Sequence, residues 1–369
     1  MKIKRVELFK IHLDINFTFT SSKSSLNKRE TIVIKITDYN GNHGYGEVVA
    51  FNKPFYTDET IDSSLHILEN DYIDRLLNLQ IDDPLEIHEI IDNTYPMTIA
   101  AIEAALIDLF CRTNNIKAMD YLFDREVMKE NIKGGIALGD MEYEALNYNI
   151  KKYSNEGYER FKLKIKPKTS LTKIIKIVHD FPELRFLLDA NRSFTIDDIK
   201  ELKIYDSLNF ICIEEPIGYK KMKELAWLQK ELITPICLDE SIMNTKDLKK
   251  AISLKAIKML NIKCSRLGGI YYTKEAIKIC RTKGIPFWMG SMVESSIGKM
   301  IQVNLAFLQD NCMEGDISSS SRYFSEDLIS PPLEFYKSYY DLRSSISFGY
   351  EVNMDRLKRY TTYYNKKEV

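Results

Sequence analysis

The sequence predicts an α/β protein: a (β/α) barrel carrying an α+β capping domain. Three observations predict it. From 161 to 265 the chain reads as a ladder of short apolar strands, each ending in a charge, with rungs at 161–167, 186–191, 211–216, 236–241 and 259–264. The terminal charges Lys164, Asp189, Glu214, Asp239 and Lys263 recur at separations of 25, 25, 25 and 24 residues. Between rungs lie segments of helical periodicity, such as 172–179 and 245–254. A strand, a helix and two short loops need roughly 25 to 35 residues, so one βα unit fits each interval. Units repeating at a fixed period predict a parallel sheet curling into a barrel.

Ahead of the ladder, residues 1–50 read as an antiparallel meander. The runs 2–13 and 30–37 largely alternate apolar and polar residues, and Tyr39-Asn40-Gly41-Asn42 supplies a turn. Between the two runs, 17–28 is rich in Ser, Thr and Lys and reads as a solvated loop. From 60 to 122 the pattern turns helical, most clearly at 99–110, where small and large apolar residues follow a helical period. Strands then helices, ahead of a repeated βα array, predict the capping domain. We expect it over 1–130, completed by 330–369, with the barrel over 131–329. Past the ladder, 285–291 reads as a further strand and 312–316 as a last, shorter one. Residues 349–352 read as a short strand and the Tyr- and Lys-rich 360–369 as a solvated tail.

Lys and Arg number 52 against 53 Asp and Glu, so no basic footprint points to nucleic acid. Six scattered cysteines, among them Cys212, Cys237 and Cys264 on expected strands, suit reduced buried thiols in a cytoplasmic protein. The start of the chain reads as a strand bearing Lys2, Lys4, Arg5 and Lys10, not as a leader, and no apolar run approaches the roughly 18 residues of a membrane span.

Barrel strands deliver their C-termini to one mouth. Asp189, Glu214 and Asp239 therefore converge there, flanked by lysines. Buried carboxylates left unpaired are costly, so three together imply a cation. Their all-oxygen chemistry, with no nearby Cys or His pair, favours Mg²⁺. Alternation along the first rung places Lys162, Lys164 and Lys166 on one face, where mutual repulsion is expected to lower the proton affinity of the most desolvated one. A lysine so lowered can serve as a general base. Lys263 lies across the mouth, so the two sides can act on opposite faces of the carbon next to a bound carboxylate. None of His12, His43, His66, His88 and His179 falls at an expected strand end, which disfavours a histidine base.

The set Lys162-Leu163-Lys164, Leu187-Leu188-Asp189-Ala190-Asn191, Ile213-Glu214-Glu215-Pro216, Cys237-Leu238-Asp239-Glu240-Ser241 and Leu260-Asn261-Ile262-Lys263 resembles the enolase superfamily, in its muconate-lactonising subgroup. More closely it resembles the o-succinylbenzoate synthase / N-succinylamino acid racemase family, a likeness that also takes in Gly44-Tyr45-Gly46-Glu47, 54–60 and 315–318. The resemblance implies a modified barrel and a cofactor Mg²⁺, with Mn²⁺ as substitute, on Asp189, Glu214 and Asp239. It implies Lys164 and Lys263 as the catalytic lysines, with Lys162, Asn191 and Ser291 toward substrate. The loop at 17–28 would cover the mouth. The partner implied is a small carboxylate substrate, and a homo-oligomer is expected. Three activities stay open: syn elimination of water giving o-succinylbenzoate, racemisation of an N-acylamino acid, and a barrel kept only for binding. The Asp-x-Asp of dipeptide epimerases is missing, since Asp316-Ile317-Ser318 stands there. Two departures bear on the acyl group. Ser291 follows Gly290 where the family carries a second glycine, and Ala137 stands where some members carry serine.

Overall fold

A computed structural model describes residues 1–20, 25–123, 126–168, 170–218, 221–341 and 346–369. Strands β1 (Ile3–Thr20), β2 (Ser25–Asp38) and β3 (His43–Val48) form an antiparallel meander. Strand alternation separates their side chains into two layers. Val6, Leu8, Ile34 and Ile36 pack with the helix Pro96–Asn114, while Phe9, Ile11, Leu13 and Val33 join the cluster that continues through the barrel. The helix crosses β3 closely because β3 has glycines there. A Cβ on Gly46 would lie 1.9 Å from the carbonyl oxygen of Ala101. The helix ends where Asn115 turns left-handed at φ 55°, a conformation Asn tolerates better than most residues.

β4 (Asn131–Lys133) precedes the parallel sheet, which runs through β5 (Ile136–Leu138), β6 (Arg160–Lys164), β7 (Arg185–Asp189), β8 (Ile213–Glu214), β9 (Ile236–Leu238), β10 (Met259–Ile262) and β11 (Phe287–Met289). These last seven lie side by side in sequence order, as right-handed βα units place them. The register sets Lys164 opposite Asp189 and Asp189 opposite Glu214, so the period seen in the sequence becomes one row across three strands.

The segment 312–316 is not the strand expected. It makes one bridge, Gly134 to Gly315, with Asn311 just before it bridging Phe287, and hydrogen bonds toward both edges of the sheet, from Cys312 N to Phe287 O at 2.9 Å and from Gly135 N to Gly315 O at 2.9 Å. The carbonyl of Glu314 accepts instead from the Arg160 guanidinium (Nε, 2.9 Å), so a side chain takes the place of a neighbouring strand.

After β12 (Ile329–Ser330), β13 (Tyr339–Asp341) and β14 (Glu351–Val352) comes β15 (Thr361–Glu368). The tail is therefore a strand and not a solvated end: β15 pairs antiparallel with β1, from Arg5 opposite Glu368 to Ile11 opposite Thr361. Tyr363 and Tyr364 stay partly exposed along this edge, which is why the segment lacks an apolar alternation. The flanks of 17–28 also differ from expectation, since Phe19 pairs with Leu26 and Thr20 with Ser25 in one long hairpin. Residues 21–24 of that loop lie outside the described residues. All six cysteines are free, and all but Cys312 are buried. No described helix is long and apolar enough to cross a membrane.

Candidate active site

The C-terminal ends of β6 to β10 open into one pocket lined by Lys162, Lys164, Asp189, Asp239 and Lys263, with Asn191 and Ser291 at its wall. Glu214 lies beneath, fully buried. Lys162 Nζ sits at the centre of three carboxylates, 3.1 Å from Asp189 Oδ2, 2.7 Å from Glu214 Oε1 and 3.0 Å from Asp316 Oδ2. Lys164 Nζ donates to Asp189 Oδ2 and Asn191 Oδ1, both at 2.6 Å. Across the pocket, Lys263 Nζ donates to Asp239 Oδ2 at 2.8 Å and lies 4.7 Å from the centre of the Tyr56 ring. The stem of Lys263 passes where a side chain on Gly290 would stand, 2.9 Å from its Cε. Lys166 leaves this group and pairs with Asp140 at 2.8 Å.

The expected repulsion among the lysines does not govern Lys162. Burial disfavours its ammonium, but Asp189, Asp316 and Glu214 outweigh burial and hold its pKa well above the ordinary value. Its three N–H bonds face three carboxylates here, and the side chain also lines the pocket. Asp189, buried but facing Lys162 and Lys164, is held below the usual carboxylate range. Glu214 is the carboxylate left in excess. Burial first, then Asp189, Asp239 and Asp316 against the single ammonium of Lys162, push its carboxyl up to about 8. Its Oε2 is buried without a hydrogen-bond partner. Burial opposes the charge of Lys263 too, and the Asp239 carboxylate overrides it, so the ammonium is strongly held.

These donors fit a hard cation. Glu214 Oε2 is an orphaned buried oxygen beside two further carboxylates, and the whole set is oxygen. Among the described residues, however, no group of three His, Cys, Asp or Glu side chains is already arranged to hold a metal ion. Asp189 and Glu214 converge on Lys162, and Asp239 on Lys263 and Arg266. A cation and these ammonium groups therefore compete for the same oxygens.

Several contributors had no role assigned from the sequence. Arg266, fully buried, donates to Asp239 Oδ1 and to the carbonyls of Ile242 (2.9 Å) and Asn261 (2.7 Å). Tyr56 comes from the cap and donates to Asp239 Oδ1 at 3.0 Å. Asp316, weighed earlier only as part of a missing motif, bridges Lys162 and Arg160 (2.7 Å). The Leu267-Gly268-Gly269 turn that follows Lys263 and Arg266 is gripped from the cap. Asn93 Nδ2 donates to Leu267 O at 3.1 Å, and Glu103 Oε1 accepts from Ile270 N at 2.8 Å. His88 backs Glu103 at 2.7 Å, and no histidine lines the pocket among the described residues. Ser291 Oγ turns to Glu294, 3.1 and 3.2 Å from its carboxylate oxygens. Ala137 lines the pocket as a small residue.

Residues 145–356 match the family described as enolase C-terminal domain-like. Over 364 residues the chain is 31% identical to the o-succinylbenzoate synthase of Bacillus subtilis, covering 98% of this chain and 97% of that one. It is 30% identical to the N-succinylamino acid racemase of Thermus thermophilus over 364 residues, with 98% of both chains covered. A solved member of the enolase superfamily from Listeria innocua superposes with a TM-score of 0.93 at 31% identity, over 99% of each chain.

Proposed function

The chain belongs to the enolase superfamily, and from that premise we propose that it eliminates water from a cyclohexadiene carboxylate to give o-succinylbenzoate. The observation that carries this reading is the placement of two buried lysines, Lys164 and Lys263, on opposite sides of one pocket and on different carboxylates of one cluster. Asp189, Glu214 and Asp239 would hold Mg²⁺, with Mn²⁺ as substitute. When bound, the cation supplies Lewis-acid stabilisation of negative charge on the substrate carboxylate.

In this reading Lys164 Nζ removes the proton from the carbon next to that carboxylate. Asp189 and Asn191 fix where Nζ points. Because the elimination is syn, the hydroxyl leaves from the same face, where the proton just taken by Lys164 can reach it. The carbon–oxygen bond breaks and water departs. Lys263 stays an ammonium and offers its charge to the opposite face. Lys162 neutralises the carboxylates beneath from the pocket lining.

A second reading is racemisation of an N-succinylamino acid, with each lysine serving one enantiomer. It is supported by the exposure of both ammonium groups to the same pocket and by the relative from Thermus thermophilus. The likeness to the o-succinylbenzoate synthase of Bacillus subtilis supports elimination as the main activity. The setting that follows is menaquinone biosynthesis in the cytoplasm, and the buried free cysteines support a reducing compartment.

Assays of the purified protein on the cyclohexadiene precursor and on N-succinylamino acids test the proposal. We expect turnover of the precursor, loss of it in excess chelator, recovery with Mg²⁺ or Mn²⁺, and no recovery in Asp239→Asn. Full activity in excess chelator would contradict the metal assignment.

A further inference from the structure

Four cationic side chains line the pocket, and they differ in one respect. Lys162, Lys164 and Lys263 each have a carboxylate oxygen within 3.1 Å. Arg192 has no carboxylate within 4.0 Å among the described residues. Its Nη2 donates to the carbonyl of Phe55 at 3.1 Å, and its Nε is buried with no partner at all. The nearby Glu240 accepts from Asn191 Nδ2 at 3.4 Å through Oε1. Its Oε2 is likewise buried without a partner and does not come within 4.0 Å of the guanidinium. A buried guanidinium edge without an acceptor is costly unless something supplies one.

The backbone points the same way. Asn191 and Arg192 are consecutive non-glycine residues in the left-handed region, at φ 42° and 65°. L-residues visit that region as isolated residues and at an energetic cost, and such strain clusters where a side chain must be aimed. Here it is held by Arg192 N donating to Glu215 O at 2.7 Å and Asn191 N to Asp189 Oδ1 at 3.0 Å. The turn that aims Asn191 at Lys164 thus also delivers Arg192 to the pocket wall, under Phe55 of the cap.

We infer that Arg192 is a specificity-determining residue that receives a second carboxylate, remote from the reacting carbon, and so selects dicarboxylate substrates. This deepens the proposed function and rests on it, since the o-succinylbenzoate skeleton carries such a group on its acyl arm. An amino-acid side chain could present the same chemistry. The planar fork of Arg suits a carboxylate, and the unpartnered Nε together with the neighbouring Nη is the edge that would bind it.

Calorimetric binding in the presence of Mg²⁺ tests the inference with matched pairs. o-Succinylbenzoate is compared with 2-butanoylbenzoate, which lacks the remote carboxylate, and N-acetylglutamate with N-acetylglutamine. Arg192→Met should weaken o-succinylbenzoate about tenfold to a hundredfold and leave 2-butanoylbenzoate within about twofold. Arg192→Lys should restore part of the loss. Because the uncharged partner is measured on the same protein, loss of the Phe55 contact or a folding defect would show in both members. A loss confined to N-acetylglutamate would support the inference and assign the charge to the side-chain arm. Equal loss within each pair, no loss, or no preference of the wild type for either dicarboxylate would overturn it. Turnover of the precursor by the wild type is followed in parallel, and its absence overturns the proposed function while the binding comparison still reports on Arg192.

Discussion

Lys162 and Lys164 on β6, and Lys166 just after it, show how one residue type acquires different roles from its partners. In sequence they are equivalent members of an alternating run, and repulsion is the only interaction visible. Their partners come from other segments of the barrel: Asp189, Glu214 and Asp316 for Lys162, Asp189 for Lys164, and Asp140 for Lys166. Lys166 can be tested apart from the pocket. Asp140 accepts from Lys166 and, at 3.0 Å, from Lys173. Burial resists its ionisation, but these hydrogen bonds and charges prevail and lower its pKa. The folded value therefore lies below the unfolded one near ~3.9. Its stabilisation is whole above that value and is lost as pH falls through the folded pKa. Partial exposure screens the pair, so Asp140→Asn should cost about 0.5–1 kcal/mol at neutral pH. In urea denaturation the gap between variant and wild type should close toward ~pH 2. A gap unchanged at low pH would show that the charge contributes nothing.

Among elements, the βα ladder was legible because its period is local and its strands are buried on both faces, as parallel strands are. What escaped were elements defined by their neighbours. β15 is polar and half-exposed, so only its pairing with β1 makes it a strand. The segment 312–316 has the composition of a short strand, but Arg160 takes the carbonyl of Glu314. The turn after β10 is another case. Gly268 and Gly269 look like flexible punctuation, yet both admit the cap. Each has φ above 100° or at it, +100° and +113°, and a Cβ on Gly269 would lie 1.8 Å from Glu103 Oε2. Glu103 cannot retreat easily, being fully buried and tied to His88 and Ile270. Gly269→Ala should therefore cost at least about 2 kcal/mol by denaturant unfolding. Gly284→Ala, at φ +63° with nothing within 4 Å of its Cβ, should cost only about 1 kcal/mol. Equal costs would mean that the grip of the cap on this turn is loose.

At the scale of the whole molecule, the site is a product of two layers. The barrel row of Lys164, Asp189, Glu214, Asp239 and Lys263 could be read from spacing. The contribution of the cap could not, because Tyr56, Asn93 and Glu103 reach residues 167 or more positions away. Arg266 was hidden for a related reason: it follows Lys263 closely but acts on Asp239 of the preceding strand. The central claim is that the two lysines have unequal roles, Lys164 as base and Lys263 as a held cation. Arg keeps a positive charge and gives up no proton at ordinary pH, though its fork differs in shape. The decisive measurement is turnover of the cyclohexadiene precursor by Lys164→Arg and Lys263→Arg, with solvent deuterium entering the α-position of each N-succinylamino acid enantiomer followed alongside. The account predicts no elimination in Lys164→Arg, residual elimination in Lys263→Arg, and in each variant exchange confined to the enantiomer its remaining lysine faces. Elimination that survives in Lys164→Arg and vanishes in Lys263→Arg would place the base on the other strand and contradict the account.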